Sequence, residues 1–85
     1  MKVWVSAEFE QDLLFWKKAD RKVVEKIQKL LQDIVKDPFK GIGKPEQLKY
    51  KLTGCWSRRI NREHRLVYRM VNEELQLLTC RYHYT

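Results

Sequence analysis

Apolar positions along the chain change their period once, from helical to alternating, and the change divides it in two. Lys2 to Val5 alternates weakly and predicts a short first strand. Ser6 follows as a helix cap, with Glu8 and Glu10 in the first turn, where the macrodipole favours acids, and Phe9, Leu13 and Trp16 at helical spacing. Asp20 is a second cap. From it runs the strongest periodic signal: Val23, Val24, Ile27, Leu30, Leu31, Ile34 and Val35 recur at steps of three and four, with polar residues between them. This predicts an amphipathic helix of about four turns. Asp37-Pro38 stops it, and Gly41, Gly43 and Pro45 predict a loop.

After the loop the pattern alternates. Leu48-Lys49-Tyr50-Lys51-Leu52 reads as strand-like, Thr53-Gly54 as a turn, and Cys55 to Ile60, Arg65 to Val71 and Leu75 to Tyr82 as strands, the last two joined by a hairpin at Asn72-Glu73-Glu74. The order strand, helix, helix, strands predicts one α+β domain over residues 1–85, its two N-terminal helices covering one face of an antiparallel sheet. The other face then meets solvent or a ligand. Alternation puts Ser57 and Arg59 opposite Trp56 and Ile60, and Arg65, Val67 and Arg69 opposite Leu66, Tyr68 and Met70, so several arginines share the uncovered face.

Size and charge narrow the function. A chain of 85 residues supports one modest core and excludes a two-lobed cofactor enzyme. With no apolar run near the roughly 18 residues that cross a bilayer, and an acidic, short N-terminal segment unlike a signal peptide, a cytoplasmic protein is expected. Cys55 and Cys80 lie in apolar strand-like runs and read as buried thiols rather than a disulfide. The net charge of +7 is concentrated in residues 36–69, where Lys36, Lys40, Lys44, Lys49, Lys51, Arg58, Arg59, Arg62, Arg65 and Arg69 face only Asp37, Glu46 and Glu63. Such a field suits a polyanion as much as it suits a solvated surface.

The C-terminal Arg81-Tyr82-His83-Tyr84-Thr85 places a histidine between two tyrosines, where two aromatic rings predict a docked end rather than a frayed one. Metal chemistry has little support: Cys80 and His83 would point to opposite faces of a strand and no second ligand pair completes a zinc site. No nucleophile elbow and no loop-borne cysteine with a neighbouring base is present. No cofactor is expected. RNA, however, brings its own nucleophile, the 2′-hydroxyl, and asks only for a base, an acid for the leaving 5′-oxygen, and cations at phosphorus. Glu46, His83 and Arg65 are of those types. With reference pKa values near 4.3 and 6.5, a glutamate is ionised at pH 7 and about a quarter of a histidine population is protonated, which makes Glu46 the base and His83 the acid. On spacing alone, a lone loop glutamate such as Glu46 reads more readily as a solvated charge than as a base.

Asp37-Pro38-Phe39-Lys40-Gly41-Ile42-Gly43-Lys44-Pro45-Glu46, Leu48-Lys49, Leu52-Thr53-Gly54, Trp56-Ser57-Arg58-Arg59-Ile60, Glu63-His64-Arg65-Leu66-Val67-Tyr68 and Cys80-Arg81-Tyr82-His83-Tyr84 together resemble the YoeB branch of the RelE superfamily of toxins. The resemblance covers essentially the whole chain. It implies a microbial RNase fold of helices on a curved antiparallel sheet, an endoribonuclease toxin that cleaves mRNA in the ribosomal A site, a YefM-type antitoxin as partner, and room for a homodimer. By the same resemblance Glu46 is the general base, His83 the general acid and Arg65 the transition-state stabiliser; Lys49 and Arg59 hold the phosphate and Tyr84 orients the RNA. The chain departs from the family in Thr85, beyond the usual terminal tyrosine, and in Cys55, where an aromatic is common. Trp56 and Tyr68 read as core before RNA-stacking residues, and His64 as structural or as a ribosomal-RNA contact. Two other functions remain open on sequence: a basic module that blocks RNA or ribosomes by binding alone, and a gyrase inhibitor of the ParE kind.

Overall fold

The computed structural model describes residues 1–82; His83, Tyr84 and Thr85 lie outside the described residues. Strand β1 (Lys2–Val5) leads into helices α1 (Ala7–Ala19) and α2 (Arg21–Lys36). Strands β2 (Glu46–Gln47), β3 (Cys55–Arg59), β4 (Arg65–Val71) and β5 (Glu74–Thr79) follow. The helices begin where the capping residues place them. Ser6 Oγ accepts the Phe9 N–H at 3.0 Å and donates to Leu78 O at 2.7 Å, fastening α1 to β5. Asp20 ends α1 and starts α2, its carboxylate accepting the Lys22 N–H.

The sheet runs β1-β5-β4-β3-β2, and it is mixed rather than antiparallel. The strand order leaves β1 only β5 as a partner, and the two run parallel, Lys2 opposite Glu74 and Val5 opposite Leu77. All other pairs are antiparallel. One face packs on the helices: Phe9, Trp16, Val23, Ile27, Leu30 and Ile34 meet Ile60, Leu66, Tyr68, Leu75 and Leu77 in a single core. At about 25 cal/mol per Å² of apolar surface, burying those side chains is the main favourable contribution to folding.

Two expected strands differ. Leu48–Leu52 is not a strand, because Tyr50 takes φ 59° and Tyr50–Leu52 winds into a single 3-10 turn, closed by Thr53 N–H and Thr53 Oγ1 donating to Tyr50 O. The final strand stops at Thr79, and the chain bends through Cys80–Tyr82 instead of running on.

Candidate active site

The loop between α2 and β2 is held by a buried cation. Arg58 lies on β3 opposite Leu66, on the helix-covered side, and is 0% exposed. All five of its N–H groups are used: Nε donates to Tyr68 Oη, Nη1 to Asp33 and to Ile42 O, and Nη2 to Asp37 O and Lys40 O. Tyr68 Oη in turn donates to Pro38 O at 2.6 Å. Arg58 is therefore no part of a polyanion-binding surface, contrary to its place in the basic run. Burying an arginine is tolerable only when its charge and donors are all met, and here they are met by Asp33 and by loop carbonyls. The Ile42 amide, then the Arg58 guanidinium, hold the Asp33 carboxyl below its ordinary value. Gly41 passes so close that a Cβ would fall on Asp33 Oδ2, and its φ of 135° is one that side chains rarely adopt.

This clamp delivers the chain to β2. Gly43 O accepts the Arg59 N–H at 2.6 Å, and Glu46 then pairs with Ser57. Glu46 is thus on an edge strand rather than in the Gly/Pro loop. Register aligns Glu46, Ser57, Val67 and Thr79 across β2, β3, β4 and β5, and puts Arg59 opposite Arg65. The row lies on the face away from the helices. Arg65 Nη1 contacts Glu46 Oε2 at 3.1 Å and donates to Ser57 Oγ at 3.2 Å. The Glu46 side chain is 61% exposed and that of Arg65 21%. A carboxylate open to solvent is held beside a guanidinium whose direction is set by a buried hydroxyl. The centre of this face is nevertheless closed, because Ser57, Val67 and Thr79 are all buried. Arg59 and Arg69 are exposed to either side, Arg69 donating twice to Gln76 Oε1.

The last described residues are drawn to the same place. Trp16 Nε1 donates to Cys80 O at 2.8 Å, and Asp12 Oδ2 accepts the Cys80 N–H. Arg81 lies over the Phe15 ring at 3.6 Å. The Tyr82 N–H donates to His64 Nδ1 at 2.7 Å, and Tyr82 O accepts the Arg65 N–H at 2.8 Å. Cys80 to Tyr82 are held in a turn instead of a strand, by backbone groups and Arg81 rather than by the Tyr82 ring, which is exposed; the rest of the expected docked end lies outside the described residues. Both cysteines are buried and free, and burial, with Asp12 nearby, pushes the Cys80 thiol up to about 12.

The family model for the YoeB-like toxin of bacterial type II toxin-antitoxin systems matches residues 4–84. The chain belongs to that family. It is 49% identical over 84 residues to toxin YoeB of Escherichia coli K12, covering 99% of this chain and 100% of that protein. It is 55% identical over 74 residues to toxin YoeB of Mycobacterium bovis, covering 87% of each. Among solved structures, the YoeB/ParE toxin from Agrobacterium tumefaciens superposes with a TM-score of 0.92 at 43% identity, covering 99% of this chain and 100% of that one. The YoeB chain of a heterotetrameric YoeB-YefM toxin-antitoxin complex from Staphylococcus aureus superposes with a TM-score of 0.88 at 42% identity, over 99% and 98% of the chains.

In this YoeB-like chain, Glu46 and Arg65 are in contact and Arg59 lies beside Arg65 across the β3/β4 ladder. Lys49 is exposed just before the 3-10 turn, within the open recess lined by Glu46 to Leu52, and makes no side-chain bond to the pair among the described residues. His83 and Tyr84 lie outside the described residues. Tyr68 is fully buried and Trp56 half-buried against Phe39, as core residues. Ser57 was not singled out as a site residue; its only signal is that alternation puts it on the arginine face. Arg58 could not be told from its neighbours, since its partners are backbone carbonyls brought together by folding.

Proposed function

We propose that the chain is a metal-independent endoribonuclease toxin that cleaves mRNA in the ribosomal A site. The observation that carries this reading is the Glu46–Arg65 pair at the exposed edge of the open sheet face, with Arg59 opposite Arg65. Glu46 takes the 2′-hydroxyl proton, the oxygen attacks the adjacent phosphorus, and the 5′-oxygen leaves with a proton from His83. Arg65 is already hydrogen-bonded and oriented, so it can stabilise charge developing on the phosphoryl oxygens without reorganising. Lys49 and Arg59 add phosphate contacts, and Tyr84 orients the RNA. The products are a 2′,3′-cyclic phosphate and a 5′-hydroxyl.

The chain acts in the cytoplasm and is neutralised by a YefM-type antitoxin; a basic surface is a good dock for an acidic disordered segment that folds on binding. The solved YoeB-YefM complex and YoeB dimer from Staphylococcus aureus support an antitoxin partner and a homodimer for this chain too. Primer extension on a translated message, with and without ribosomes, joined to analysis of the RNA ends, tests the reading. Cleavage that survives EDTA, needs ribosomes and leaves a 5′-hydroxyl is expected; 5′-phosphate ends overturn the acid and base roles. If growth arrest persists in Glu46→Ala and His83→Ala, toxicity comes from binding alone.

A further inference from the structure

Of the two histidines, His64 takes no part in the acid and base roles above. It closes the turn before β4, where its own N–H and that of Glu63 donate to Asn61 Oδ1 at 2.9 Å. Its ring stands edge-on to Trp16, with centroids 4.6 Å apart, and only 12% of the side chain is exposed. Nδ1 accepts the Tyr82 N–H at 2.7 Å, while the next amide in the chain, that of Arg65, donates to Tyr82 O. Two consecutive residues thus hold both backbone polar groups of Tyr82. Tyr82 has φ 64°, a left-handed conformation costing roughly 1–2 kcal/mol for a residue with a side chain, so it persists only where surrounding bonds impose it.

We propose that His64 is a positioning residue of the ribonuclease site: by accepting the Tyr82 amide at Nδ1, it fixes the Tyr82 backbone relative to Arg65. The inference rests on the ribonuclease reading. One imidazole anchors the backbone that carries the other. The anchor works only with Nδ1 unprotonated, because an imidazolium has two donors and no acceptor, and its Nδ1–H would meet the Tyr82 N–H head-on. Among the described residues the Glu63 carboxylate lies 3.9 Å from Nε2, the other ring nitrogen.

Two measurements test this. In Glu46→Gln protein, slowed for cleavage, the Tyr82 amide is expected to exchange slowly with solvent. Adding His64→Phe, which keeps a ring against Trp16 and deletes the acceptor, should speed Tyr82 amide exchange by about ten-fold, a loss of about 1.4 kcal/mol. In otherwise wild-type protein, His64→Phe should lower kcat for message cleavage by about ten- to hundred-fold, with KM changed less than about two-fold. His64→Asn, which offers an acceptor at the same branch point and does not titrate, should recover most of that loss. Unchanged Tyr82 exchange in His64→Phe, or a kcat in His64→Asn no better than that in His64→Phe, overturns the proposal. Absence of cleavage by the wild type overturns the ribonuclease reading instead, and the amide measurement still decides whether His64 holds Tyr82.

Discussion

Arg58 and Arg65 carry the same guanidinium on neighbouring strands, and their surroundings divide the work between them. Arg58 spends every donor on Asp33, Tyr68 and three carbonyls, so it can be read as a structural ion. Lysine keeps the charge but not the planar fork of five donors. Arg58→Lys should therefore lower unfolding free energy by about 2–4 kcal/mol and Arg58→Ala by more, measured by urea denaturation. Both should also weaken cleavage, since the loop they release leads to Glu46. Arg65 differs because Nη1 alone is committed, to Glu46 and Ser57, among the described residues. Arg65→Lys and Glu46→Gln should each cost about 10²–10³ in kcat with little change in thermal midpoint.

At the scale of elements, periodicity located both helices, their shared cap at Asp20, and strands β3 and β4 to within a residue or so. It failed at Leu48–Leu52, where alternation is real but no strand pairing extends past Leu48, whose amide donates to Cys55 O. A strand needs a partner as well as a pattern. The segment from Asp37 to Pro45 reads in sequence simply as a loop, whereas folding turns the Asp37, Lys40 and Ile42 carbonyls onto Arg58. Its stability should depend on pH through Asp33. The folded-state pKa of that carboxyl lies below the unfolded value of about 3.9, so its contribution is complete above that pH and is lost as pH falls through the lower value. The difference in thermal midpoint between wild type and Asp33→Asn should be largest near neutrality and shrink below about pH 4. Cys80 offers a second check on an element: its thiol, raised to about 12 and buried under α1, should resist alkylation in folded protein at about pH 8 and react once β5 is unfolded by urea.

Over the whole molecule, the charge of +7 survives as a field while its distribution changes on folding. Arg58 is withdrawn into the interior, and Arg59, Arg65 and Arg69 stay together on the open face. RNA affinity should fall with salt, and because Arg59 is exposed and reads as a phosphate contact, Arg59→Ala should reduce the slope of log K against log salt by about 0.7. A slope equal to the wild type would remove Arg59 from the interface. By itself the sequence determined the elements that depend on local spacing and capping, the family through motifs along the whole chain, and the chemical types at Glu46, Arg65 and His83. Only the tertiary structure decided that β1 pairs parallel with β5, that Arg58 is buried scaffold while Arg65 meets Glu46 and Ser57, and that His64 grips Tyr82. Periodicity and capping are set within a few residues of chain, whereas partners dozens of positions apart are chosen by the packing that brings them together.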